Sequence, residues 1–175
     1  LSTMDKRNQN FKDVLLEAKK FGYAESNPLS DLNGDDVASK LKILSSLCFN
    51  SFIDNNIHVE GIKSIDRLDI DNANKLGYKI KLLGVSEIIN NKIYQRVHPT
   101  LIRKSSYIAS IDGVLNAVIV DGKPIGQNVI QGEGAGPEAT TSALISDISS
   151  ILRGNIKFPF SISNKERKKL SYQNI

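Results

Sequence analysis

The sequence predicts an α+β fold in which a mixed, largely antiparallel β-sheet carries helices on one face. Three observations lead there. Apolar residues recur at helical spacing through the first fifty positions, short runs rich in Val, Ile and Tyr follow with turn residues between them, and a last helical stretch comes after a glycine cluster. Helices grouped ahead of hairpin-like strands, instead of alternating with them one by one, argue against a parallel doubly wound sheet.

The elements follow in chain order. In "NFKDVLLEAKKFG", Phe11, Val14, Leu15, Ala18 and Phe21 form an apolar stripe, with Asn10 as N-cap, Asp13 three residues on and Gly22 as a stop. A second helix is predicted from near Asp35 through "DVASKLKILSSLCF", with Val37, Leu41, Leu44 and Cys48 facing inward. "IHVEGI", "YKIKLLGVSEI", "KIYQRVHP", "LNAVIV" and "IGQNVIQG" read as strands. Asn90-Asn91 and Asp121-Gly122 supply the chemistry of tight reversals, so two antiparallel hairpins are expected. "IDRLDIDNANKLG" suits a short helix closed by Gly77, and "EATTSALISDISSILRG" a longer one closed by Gly154. No internal repeat is visible.

Composition bounds the function. The chain has 175 residues, 40% hydrophobic and 24% charged, enough for one ordinary domain with a core. No apolar run is long enough to cross a bilayer, and "LSTMDKRNQNF" lacks the pattern of a signal peptide, so a cytoplasmic protein is expected, with no membrane partner. The net charge of +4 owes much to "NKERKKLSYQN" near the C-terminus; residues 156–175 read as a basic, polar, solvated tail. Nucleic-acid binding is not predicted, since cations are not interleaved with aromatics along a folded face. Cys48 is the only cysteine and reads as a buried thiol. His58 and His98 lie far apart and no metal-ligand spacing occurs, so no metal is predicted.

Two stretches could carry chemistry. Between the first two helices, Glu25, Asp31, Asp35 and Asp36 bring four acids together beside Tyr23, Asn27 and Asn33. Acids ahead of a helix also complement its dipole, and Asp36 with Lys40 at i,i+4 makes an ordinary surface pair worth less than about 1 kcal/mol. A lysine among carboxylates can equally transfer a proton beside a polar ligand, while the carboxylates hold an ammonium group. Both readings stand on spacing alone. The second stretch, "VIQGEGAGPEATTSALISDI", sets Gly132, Gly134 and Gly136 between a strand and a helix. Its spacing is G-x-G-x-G and not the dinucleotide fingerprint G-x-G-x-x-G, and no strand follows, so it serves as a tight turn or as one edge of a ligand site.

Taken together, "FGYAESNPLSDLNGDDVASKLKIL", "EGIKSI", "KLGYKIKLLG", "GVLNAVIVDG", "GEGAG" and "TTSALISDI" occur in the order and spacing of the catalytic and dimerisation part of homoserine dehydrogenase, which this chain resembles from Leu1 to about Leu152. The resemblance implies an NAD(P)-dependent oxidoreductase that interconverts L-homoserine and L-aspartate 4-semialdehyde, on the way to threonine and methionine. Residue by residue, it implies that Lys40 is the acid or base at the reacting carbon and Asp36 helps position the reacting groups. Glu25 matches the glutamate that binds substrate, most naturally at its ammonium, with Asp31 and Tyr23 as further substrate contacts. Gly132, Gly134, Ala135 and Gly136 match the stretch near the nicotinamide. Two departures stand out: Asn27 replaces the usual aspartate, and "PEAT" replaces the usual wording after the glycines.

The same resemblance implies that residues 1–155 are the catalytic and dimerisation domain, that NAD(P) is bound mainly by an N-terminal domain absent from this chain, and that the helix near 139–152 packs on that domain. It implies a homodimer, and no turnover by this chain alone. A related oxidoreductase acting on another small aldehyde or amino acid is the nearest competing expectation; a noncatalytic dimerisation or binding module is the more distant one.

Overall fold

The computed structural model describes residues 1–24, 27–51, 53, 57–134, 136–155 and 171–172. In chain order the elements are α1 (Ser2–Arg7), α2 (Phe11–Lys20), α3 (Leu29–Asn33), α4 (Asp35–Cys48), β1 (His58–Val59), α5 (Arg67–Lys75), β2 (Tyr78–Ile89), β3 (Lys92–Arg103), α6 (Tyr107–Ser110), β4 (Leu115–Gly122), β5 (Gly126–Glu133), α7 (Pro137–Leu152) and β6 (Ser171–Tyr172). They divide between two compact units, one of Leu1–Ser26, Asp66–Lys81 and Leu101–Asn155, the other of Asn27–Ile65, Leu82–Thr100 and Ile156–Ile175.

In the second unit, β3 is the central strand of the order β1-β3-β2. β1 pairs with it in parallel (His58 with Arg96, Val59 with Val97), as does β6 (Lys92 with Ser171, Ile93 with Tyr172). Two residues of the stretch expected as a solvated tail are therefore a strand; residues 156–170 and 173–175 lie outside the described residues. β2 and β3 are joined by Asn90 and Asn91, whose φ values of 51° and 62° are the two left-handed residues that a two-residue hairpin needs. Along β3, Ile93, Gln95 and Val97 alternate inward, each 2% exposed or less. α4 packs on this sheet. The Gln95 side-chain amide donates to Ser45 Oγ at 3.0 Å, and a Cβ on Gly84 would touch Val37 and Leu41 at 3.1 and 3.4 Å.

That packing corrects the expectation for Cys48, which is exposed. α4 buries the small residues Ala38, Ser45 and Ser46, while Val37, Leu41 and Leu44 are half-buried. After the helix the chain folds back, with the Ser51 amide on the Ser46 carbonyl and the Ile53 amide on Ser46 Oγ. Ser51 and Ile53, and not Cys48, fill the interior there.

In the first unit, α2 begins at Asn10 as expected, with Asn10 Oδ1 accepting from the Asp13 amide at 3.0 Å. α5 opens with a reciprocal capping box between Asp66 and Asp69 and closes at Gly77, φ 81°. Met4, Ile70, Ala73 and Ala109 are its buried apolar side chains. Beside them Asp112, only 13% exposed, accepts from Lys81 (2.7 Å), Lys79 (3.1 Å) and Lys6 (3.1 Å). Burial works to raise the pKa of Asp112, but the hydrogen bonds from the three lysines outweigh it and hold the carboxyl well below the usual carboxylate range.

β4 and β5 pair antiparallel from Leu115–Glu133 to Gly122–Gly126. The reversal therefore falls at Lys123–Ile125, one step later than the Asp-Gly signal indicated. Asp121 and Gly122 are still paired, and Pro124, which has no N–H for a ladder, sits in the loop. α7 ends before Gly154, φ 70°, as expected. Leu144, Ile145, Ile148 and Ile151 on α7 are each more than half exposed.

Candidate functional site

One glycine makes the corner that carries the predicted acids and lysine. Gly34, φ 89° and ψ 6°, is at once the last cap of α3 and the first of α4, a left-handed conformation that favours glycine. Its amide donates to the Asp31 carbonyl at 3.3 Å and its carbonyl accepts from the Ala38 amide at 3.0 Å. α3 itself starts as the sequence "NPLSDLNG" allows. The Leu29 amide donates to Asn27 Oδ1 at 3.4 Å, and the buried Pro28 leads into the first turn. Asn27 thus shapes the loop through its side-chain oxygen, which asparagine and aspartate share.

The two helices that meet at this corner carry Asp31, Asp36 and Lys40. Asp31 lies in the first turn of α3 and is exposed; Asp35 and Asp36 occupy the first turn of α4, where their charge complements the unpaired N–H groups. One turn further on, Lys40 Nζ donates to Asp36 Oδ2 at 2.7 Å, with the two side chains 60% and 41% exposed. The pair is open to solvent, and one of three ammonium donors is engaged by Asp36. Beside the same corner an open groove of ≈ 430 Å³ is lined by Asn33, Asp35, Val59, Glu60, Gly61 and Lys63, among others.

Tyr23 and the predicted glycines are not in that unit. Tyr23 belongs to the first, half exposed, its ring centroid 6.5 Å from that of Phe21. Glu25 and Ala135 lie outside the described residues. Gly132, near the end of β5, and Gly134 and Gly136, between β5 and α7, also belong to the first unit. The Gly134 amide donates to the Val114 carbonyl at 3.1 Å, and the Asn116 side chain occupies the place a Cβ would take. Over Gly132 and Gly136 there is open space, and Gly136, φ 123°, leads directly into α7 with Pro137 in its first turn. These residues fit one edge of a nucleotide site: glycines that admit a close approach, and the N–H groups at the start of a 16-residue helix. A complete dinucleotide cradle is not found among the described residues. Nor is a group of three or more His, Cys, Asp or Glu that could hold a metal ion. No helix among them is long and apolar enough to cross a membrane.

Sequence reasoning passed over Gly61. The signal was a glycine inside the run "IHVEGI" read as a strand, the mark of a close backbone approach.

Comparison with known proteins gives the geometry its setting. The family model described as homoserine dehydrogenase matches residues 1–149. Homoserine dehydrogenase of Neisseria gonorrhoeae is 44% identical over 154 residues, covering 87% of this chain and 35% of its own length; that of Pseudomonas aeruginosa is 40% identical over 160 residues, covering 91% and 37%. Among solved structures, a homoserine dehydrogenase from Thiobacillus denitrificans superposes with a TM-score of 0.87 at 37% identity, covering 98% of this chain and 42% of that one. The S. aureus homoserine dehydrogenase gives 0.80 at 38% identity, covering 94% and 42%. The chain thus spans about a third of the length of the curated relatives it matches. With a family model matched over most of its residues and the mixed α+β fold shared with solved members, the chain belongs to the homoserine dehydrogenase family.

Proposed function

We propose that this chain handles the substrate and the proton in the NAD(P)-dependent interconversion of L-homoserine and L-aspartate 4-semialdehyde, on the route to threonine and methionine. The observation that carries the reading is the solvent-accessible Asp36–Lys40 pair, 2.7 Å apart at the Gly34 corner of a chain from this family. When bound, NAD(P) supplies the hydride acceptor or donor. In the direction of the aldehyde, Lys40 Nζ as the neutral amine takes the hydroxyl proton while hydride leaves the carbon; in the direction of the alcohol, Nζ as the ammonium gives a proton to the carbonyl oxygen. Asp36 accepts one hydrogen from Nζ and so holds the amine in place. Glu25, Asp31 and Tyr23 hold the substrate, the acids at its ammonium group. Gly132, Gly134, Ala135 and Gly136 border the nicotinamide end of the cofactor, the rest of which is bound by a separate nucleotide domain.

The reading extends to a cytoplasmic homodimer. Its support is the apolar hairpin of β4 and β5, where Ile125, Val129 and Ile130 are exposed and call for cover.

The test is Lys40→Ala in the enzyme at its natural length. A fall in kcat of about 100-fold or more, with nucleotide affinity unchanged, is the expected result. Undiminished kcat would leave Asp36 and Lys40 as a solvated ion pair and favour a noncatalytic module; loss of activity toward another small aldehyde, with none toward homoserine in the parent enzyme, would favour a related oxidoreductase.

A further inference from the structure

The strap Glu60–Ile62 is stitched at both ends. On one side the Glu60 amide donates to the Val97 carbonyl of β3 at 2.7 Å; on the other, the Ile62 amide donates to the Leu32 carbonyl of α3 at 2.9 Å. Between these bonds lies Gly61, pressed against the end of α3. A Cβ there would stand 2.2 Å from the Leu32 carbonyl oxygen, 2.6 Å from Asn33 Cα and 2.8 Å from the Asn33 carbonyl carbon. All three are backbone atoms, so no side-chain rotation relieves the overlap. The backbone must move.

The corner meets the strands at Gly34 as well. Gly34 is buried, and a Cβ on it would stand 3.0 Å from Val59 Cγ1 and 3.2 Å from Val97 Cγ1. Val59 is the residue of β1 that pairs with Val97, so strand, strap and corner share one contact. The α3–α4 corner is thereby packed directly against β1, β3 and the strap, and a displacement there is transmitted to Asp31 and to the first turn of α4.

We infer that Gly61 is a positioning residue for the proton-transfer site: the strap sets the α3–α4 corner that presents Asp31, Asp36 and Lys40. Gly61 touches neither substrate nor cofactor in this role. It acts through the backbone of Leu32 and Asn33. This inference rests on the functional reading above and adds to it the part of the fold that fixes the site's geometry.

The experiment compares Gly61→Ala, Lys40→Ala and Gly122→Ala in the enzyme at its natural length. Gly122 is the control, because a Cβ there would meet only Ile125 Cγ2, at 3.7 Å. The expected result for Gly61→Ala is a folded protein with unchanged nucleotide affinity, kcat for homoserine lowered at least tenfold, and the limb of the kcat pH profile that Lys40→Ala abolishes displaced. Hydrogen exchange should accelerate across residues 29–40 and stay unchanged in α7; Gly122→Ala should match the parent throughout. If Gly61→Ala fails to fold, Val59→Ala carries the test, since it loosens the same corner without an overlap and is expected to lower kcat severalfold with the same exchange signature. A folded Gly61→Ala or Val59→Ala with parental kcat, pH profile and exchange overturns the inference while Lys40→Ala remains inactive. Parental activity in Lys40→Ala overturns the functional reading, and the inference with it.

Discussion

Asp112 shows how much one side chain can hold. Three lysines converge on it, Lys6 from α1 and Lys79 and Lys81 from β2, and they keep it ionised in a position only 13% exposed. Because the carboxyl pKa is depressed in the folded protein, its contribution is fully present above the unfolded value of about 3.9 and is lost as the pH falls below it. Asp112→Asn is therefore expected to lose about 1–3 kcal/mol at pH 7, and the gap from the parent should close as the pH drops below about 4. Urea titrations at pH 7, 5 and 3 measure it; a gap independent of pH would mean that the charge on Asp112 is not what matters. None of this was legible in the sequence, because the partners lie far apart along the chain, Lys6 and Asp112 farthest, and only the fold brings them together. Cys48 failed to read correctly for a related reason. Periodicity finds the apolar stripe of a helix, whereas α4 meets its sheet through Ala38 and Ser45, a small residue and a polar one that Gln95 satisfies. Asn10 and Gly22 read correctly, since caps and stops act within a few residues of themselves.

Among elements, β1 to β5 and the long helices were legible as runs, though β6 was not, and the Asn90-Asn91 hairpin from its turn chemistry. The second hairpin was placed one step early, because Asp-Gly is a strong signal while the three-residue reversal through Pro124 is a weak one. The parallel pairing of β1 and β6 with β3 is invisible in sequence, being a property of distant segments. α7 is an extreme case: 16 residues, with Leu144 57%, Ile145 58% and Ile148 51% exposed. Few contacts hold such a helix, so its amides should exchange faster than those of β3, where Ile93 and Val97 are fully buried. Exchange measured by mass spectrometry on the chain by itself decides the point. Protection of α7 equal to that of β3 would show that something in solution covers its apolar face.

At the scale of the whole molecule, the family and fold class were legible from the order of the motifs, and the candidate site in part. The placement of Asp31 on α3 and of Asp36 and Lys40 on α4 follows from local sequence; the strap Glu60–Ile62 that meets this corner is distant along the chain and was not foreseen. On the proposed reading the chain carries the substrate side of the reaction and, among its described residues, one edge for the nucleotide. It is therefore expected to sediment as a dimer and to show no NAD(P)-dependent oxidation of L-homoserine. Sedimentation velocity across a range of concentrations, with absorbance at the wavelength of the reduced nicotinamide, checks both; steady turnover by the chain alone would mean that its nucleotide contacts are more complete than the glycine stretch indicates.

The shared cap at Gly34 has a last consequence, for how this region can change. Where two helices meet through one residue there is no slack between them, and each residue added to a helix turns everything beyond it by about 100°. The spacing from Asp31 to Lys40 behaves as a fixed length. A family member, or a designer, can exchange the side chains displayed there but cannot insert or delete between them, whereas the loop at Lys123–Ile125, with its exposed tip, leaves length free to drift.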